Sequence, residues 1–107
     1  MSGWIGVDLD GTLAEYGGWQ GPDHIGAPIE LMAARVRGWL LSGRDVRIFT
    51  ARAGVPEQIP PIEQWCLRNF GQVLPVTDRK DFAMVELWDD RCVQVIPNTG
   101  MRADGAP

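Results

Sequence analysis

The sequence predicts a three-layer α/β fold, a parallel sheet flanked by helices, built as one domain. Three observations carry this. Short apolar runs alternate with stretches of helical spacing along the chain. Their order of strand, helix, strand, helix and then further strands implies parallel strands joined by right-handed crossovers. The length of 107 residues suits one domain and leaves no room for two.

Trp4-Ile5-Gly6-Val7 is apolar throughout and stops at Asp8, as a buried parallel strand does. Gly11, in Asp8-Leu9-Asp10-Gly11-Thr12, supplies the freedom a turn needs. Residues 14–28, rich in Gly, Pro and Trp, should form a long loop or small flap. Ile29, Met32, Ala33, Val36 and Leu40 then fall at helical spacing, with Pro28 before them and Gly43 as the stop. Val46 to Phe49 is a second strand, ending at Thr50. After a loop over 51–60, Pro61 opens a helix that carries Ile62, Trp65 and Cys66 and stops at Gly71. Val73–Val76 is a third, marginal strand because of Pro75. Met84–Trp88 is a fourth, and Cys92–Ile96 a fifth. The domain is expected to span 1–100, with 101–107 a flexible tail.

The net charge of −4 disfavours a dedicated nucleic-acid binder, which carries a basic face. It leaves room for a phosphorylated substrate, because a bound cation can neutralise phosphate. The cations are nine arginines and a single lysine, Lys80. Cys66 and Cys92 lack metal-site spacing and read as buried thiols. With no leader-like start and no long apolar run, a cytoplasmic protein without a membrane span is expected.

Polar residues close three of the apolar strands: Asp8 and Asp10, then Thr50, then Asp89 and Asp90. Ligands of open α/β sheets bind beyond the carboxyl ends of the strands, so these residues should gather at one edge. Turn capping would account for either acidic pair alone; two pairs at strand ends need a common explanation. Carboxylates so gathered repel unless a cation lies between them. An all-oxygen set favours Mg²⁺.

In this order the residues resemble the haloacid dehalogenase (HAD) superfamily, whose sheet is Rossmann-like. Its four motifs are matched by Ile5 through Thr12, by Ile48-Phe49-Thr50, by Lys80 and by Leu87-Trp88-Asp89-Asp90. Short members of the family are similar in carrying Thr-x-Arg and Asp-Asp-Arg, here Thr50-Ala51-Arg52 and Asp89-Asp90-Arg91. The link Ile25-Gly26-Ala27-Pro28-Ile29 also resembles theirs.

The resemblance implies a Mg²⁺-dependent phosphomonoesterase working through an aspartyl-phosphate. Asp8 would be the nucleophile and Asp10 the general acid and base, its backbone carbonyl also holding the metal. Asp89 and Asp90 would complete the metal site, Asp89 favoured as the direct ligand. Thr50 would donate to a phosphoryl oxygen. Lys80, preferred over Arg79, would pair with Asp8 and the phosphate. Arg52 would either reach the phosphate or brace Asp89-Asp90, and Arg91 would be structural, exposed or paired with an acid. No cap domain fits between the motifs, so the site should be open or covered by a partner subunit.

The substrate is then a phosphorylated small molecule or an exposed phosphate on a macromolecule. A polynucleotide-end phosphatase is an alternative that the acidity of the chain disfavours; a nucleotide phosphatase is another, which the charge does not exclude. Transfer to an acceptor other than water, and a non-catalytic Mg²⁺- or phosphate-binding module, stay open, as does a homo-oligomer. His24 reads as a surface residue. Tyr16 and Trp19 could stack on a base or sugar, but covering the core is favoured. Trp39 and Trp65 should pack on the sheet, while Trp88 should matter more for its backbone than its ring.

Overall fold

Trp4–Val7 forms strand β1, buried along its whole length as a central strand requires. It pairs in parallel with β2 (Asp45–Phe49) on one side and β4 (Met84–Trp88) on the other. The short β3 (Val76–Thr77) joins the far side of β2, giving the order β3-β2-β1-β4. This computed structural model describes residues 2–107. The all-parallel sheet flanked by helices is a Rossmann-like α/β arrangement.

Helix α1 (Glu30–Leu41) joins β1 to β2, and α2 (Ile59–Phe70) joins β2 to β3. Both meet Ile5, Val7, Val46 and Ile48 in one core, through Met32, Ala33 and Val36 of α1 and Ile62, Trp65 and Cys66 of α2. Trp39 and Phe70 pack against this core. Alternation along β1 sends Trp4 and Gly6 to the other face. There a side chain on Gly6 would meet Trp4, Met84 and Leu87, and the Arg47 guanidinium lies 4.6 Å from the centre of the Trp4 ring. The layer on that side is built of side chains rather than a long helix.

Helix α2 begins two residues before the expected Pro61. Pro60 and Pro61 fall in its first turn, where backbone N–H groups have no helical partner to lose. Its end is as expected, with Gly71 at φ 74°. The loop expected over 51–60 contains two single turns of 3-10 helix, Ala51–Gly54 and Pro56–Gln58. The third strand starts late because Pro75 has no N–H. It offers only its carbonyl, which accepts from Ile48 N at 2.8 Å.

The fifth strand expected over 92–96 does not form. After Asp90 the chain leaves the sheet, and the apolar run pairs with its own continuation. Ile96 N donates to Met101 O and Ala103 N to Gln94 O, both at 2.8 Å. Positive φ angles at Asn98 and Gly100 turn the chain between them. The boundary expected after residue 100 thus falls inside a hairpin, and Cys92 is exposed rather than buried. Cys66 is buried, which pushes its thiol up to about 11. Among the described residues no helix is long and apolar enough to cross a membrane.

Candidate functional site

Asp8 follows β1 directly, and its N–H donates to Trp88 O at 2.8 Å, one residue before Asp89. That bond carries the β1–β4 ladder to the point where both strands turn acidic. The chain after Asp8 then folds on itself: Leu13 N and Ala14 N both donate to Leu9 O, at 3.0 and 2.8 Å. Leu9 and Leu13 are fully buried, so Asp8, Asp10 and Thr12 alternate with residues that anchor the turn. Gly11 has φ 88°, and a side chain there would approach the Asp90 carboxylate to 2.6 Å. Glycine is required on both counts.

Carboxylate oxygens of Asp8, Asp89 and Asp90 lie within 4.8 Å of one another. Thr12, to which the sequence assigned no role, ties this group together. Its hydroxyl is 3.3 Å from Asp8 Oδ2 and 3.0 Å from Asp90 Oδ1, and it accepts from Asp90 N at 2.9 Å. Burial is the largest influence on Asp8; with the hydrogen bond to Asp90 and the charges of Asp89 and Asp90 it raises its carboxyl to about 7. Asp90 is lowered, chiefly by the same hydrogen bond to Asp8. The two acids therefore hold one proton between them up to neutrality. A hard divalent cation fits this set, since it would take the place of that proton among oxygen donors.

Asp10 is placed differently. Its carboxylate accepts two hydrogen bonds from Arg52, from Nε and Nη2, each at 2.9 Å. Arg52 is buried, which is unusual for its type and reflects this two-pronged pairing. It braces Asp10, not Asp89-Asp90. Thr50, at the end of β2, is also buried; its hydroxyl oxygen accepts from Arg52 N at 3.2 Å. A second bond, Thr50 N to Thr77 O at 2.9 Å, fixes it to β3.

Asp8, Asp10, Thr50, Arg52, Asp89 and Asp90 line an open cleft of about 660 Å³, together with Tyr16, Trp19, Asp78 and Arg91. The Arg52 guanidinium lies 4.9 Å from the centre of the Trp19 ring. Tyr16 and Trp19 are 50% and 55% exposed, so they do not cover the core. The arrangement brings Asp8, Asp10, Thr50, Arg52, Asp89 and Asp90 together. It does not bring in Lys80 or Arg79, which are exposed and lie outside the cleft lining. Asp78 lines the cleft, but beyond it the connection from β3 to β4 turns outward, with Arg79 N donating to Thr77 Oγ1 and Ala83 N to Asp81 Oδ1. Arg91 is exposed, as expected, and also lines the cleft. His24 is exposed and outside it. Trp88 contributes its ring after all, packed 5.3 Å from Trp39.

Fold and site together define an α/β domain with an acidic centre at the carboxyl edge of a parallel sheet. No protein-family model matches the chain, and no curated protein does. A solved structure of a conserved protein from Bacteroides thetaiotaomicron is similar, with a TM-score of 0.62 and 23% identity. The match covers 92% of this chain and 84% of that one. At this identity the likeness speaks for the fold.

Proposed function

We propose that the chain is a divalent-cation-dependent phosphomonoesterase of the HAD type. The observation that supports it best is the convergence of Asp8, Asp89 and Asp90 from two strand ends into one set of oxygens. Mg²⁺ held by Asp8, Asp89 and Asp90 would supply charge neutralisation, for the carboxylates and for the phosphate.

In this reading an Asp8 oxygen attacks phosphorus, the ester P–O bond breaks, and the leaving oxygen takes a proton from Asp10. Water then attacks the aspartyl-phosphate, gives its proton to Asp10, and releases inorganic phosphate and free Asp8. Thr50 donates its hydroxyl to a phosphoryl oxygen. Both Asp10 oxygens are engaged by Arg52, so Asp10 reaches the leaving oxygen only when Arg52 lets go of it. A phosphate presents the same pair of acceptors as a carboxylate, so the incoming substrate can take over the fork of Arg52. Arg52 and Arg91 are then the cations that face the phosphate, in place of Lys80.

A non-catalytic cation- or phosphate-binding module is the second reading. It is favoured by the engagement of Asp10 with Arg52 and by the absence of Lys80 from the cleft lining. Hydrolysis of an aryl phosphate, with and without Mg²⁺ and with Asp8→Asn as control, separates the two. Mg²⁺-dependent turnover that disappears in Asp8→Asn supports the enzyme. A chain that binds Mg²⁺ by calorimetry yet hydrolyses nothing across a broad phosphoester panel is the module.

A further inference from the structure

The loop over residues 14–28 is closed at its base and open at its tip. At the base Ala14 pairs with Pro28, Glu15 N donates to Ala27 O at 2.8 Å, and Ile29 N donates to Leu13 O at 2.7 Å. Trp65 Nε1 adds a bond to Gly26 O at 2.9 Å, pinning the loop to α2. The tip carries Tyr16 and Trp19 into the wall of the cleft that holds Asp8 and Asp10. Packing against Arg52 gives Trp19 a defined position, while about half of its surface stays in solvent. Two half-exposed aromatic rings thus line the same open cleft as the acids, the mix of apolar wall and convergent polar groups that small-molecule sites have.

We propose that Trp19 and Tyr16 form a stacking platform for the ring of a nucleoside monophosphate bound in this cleft. Both residues offer flat, sequence-tolerant faces to a base. The Arg52 guanidinium stands between the Trp19 ring and Asp10, bonded to one and packed on the other. A ring stacked on Trp19 is therefore held away from the carboxylates, and its phosphate must be joined through a spacer. The ribose of a nucleotide is such a spacer; an aryl phosphate has none. The cleft volume is within the range of small-molecule sites. The phosphate half of this inference rests on the phosphatase reading; the ring half does not.

The test compares kcat/KM for adenosine 5′-monophosphate, phenyl phosphate and glycerol 2-phosphate in the wild-type chain with Mg²⁺. The nucleotide is expected to lead, and Trp19→Ala to lower its advantage over glycerol 2-phosphate about tenfold. Trp19→Phe, which keeps an aromatic face, should restore most of that ratio. An unmoved ratio in Trp19→Ala overturns the platform, as does a lead for phenyl phosphate over the nucleotide. Calorimetry with adenosine 5′-monophosphate on Asp8→Asn separates the two readings. Binding that weakens in Asp8→Asn/Trp19→Ala keeps the platform even if no ester is hydrolysed. Hydrolysis with no preference for a ring keeps the phosphatase and removes the platform.

Discussion

The turn after β1 and the connection from β3 to β4 are both rich in charge, yet the first delivers both of its acids to the cleft and the second only Asp78, its first residue. In the first, Asp8, Asp10 and Thr12 are interleaved with Leu9 and Leu13, which are fully buried. Each polar side chain is thus aimed by the apolar neighbour beside it. In the second, residues 78–83 are all exposed, and its large apolar residue, Phe82, is in solvent. Nothing there turns Lys80 inward. A charge is placed by its anchors rather than by its position in a motif.

The largest effect expected from breaking this contrast is in Asp8→Asn. Loss of the nucleophile should cost about 10³-fold or more in Mg²⁺-dependent turnover of an aryl phosphate. Removing an anchor instead of a charge comes next. Leu9→Ala should lower stability by about 3 kcal/mol in urea unfolding. It should also weaken Mg²⁺ binding, although Leu9 has no ligand atom.

The shared proton gives a pH signature. The raised Asp8 contributes stability in full below the ordinary carboxylate range and loses it as pH rises through about 7. Asp90, shifted down, works in the opposite sense: its contribution is present above that range and is lost as pH falls. A cation must displace the shared proton, so Mg²⁺ affinity should climb by up to about tenfold per pH unit toward neutrality and then level off. Calorimetry in buffers of different ionisation heat would detect the released proton. A flat affinity profile would remove Asp8 from the binding set.

Thr12→Val keeps the shape of the side chain and removes the hydroxyl that bridges Asp8 and Asp90. About 1 kcal/mol of stability and a few-fold in Mg²⁺ affinity should go with it. The smallest effect belongs to Lys80→Ala, expected to change turnover by less than about twofold, as exposed side chains away from a site generally do. A large loss there would restore the outward connection to the chemistry and sink the contrast.

Much of this was legible in the sequence. The strand that ends in Asp8 could be read because it is apolar and buried on both faces, so the first polar residue marks its end; those that end in Thr50 and Asp89 are interrupted by Arg47 and Glu86 and were legible as short β-branched and aromatic runs. What escaped depends on choices that spacing does not encode. Arg52 could have turned toward Asp89-Asp90, and only the packed structure selects Asp10. Thr12 could have been suspected, since a hydroxyl that follows Asp-Gly can bond back to the acids around it. The run Cys92–Ile96 has the composition of a strand, but pairing is decided by where the chain goes after β4. It folds back on residues 101–103, leaving Cys92 in solvent.

The neck of the loop at Gly26 has one more consequence. A Cβ at that position would stand 2.1 Å from the carbonyl oxygen of Glu15, so the two strands of the neck touch as backbone against backbone. Residues 16–24 beyond it are tethered to the domain through this seam, the Trp19–Arg52 packing and a bond from Arg52 Nη1 to Pro22 O at 3.4 Å. A change of sequence in that segment therefore reaches the acids by a single route, through Arg52 to Asp10.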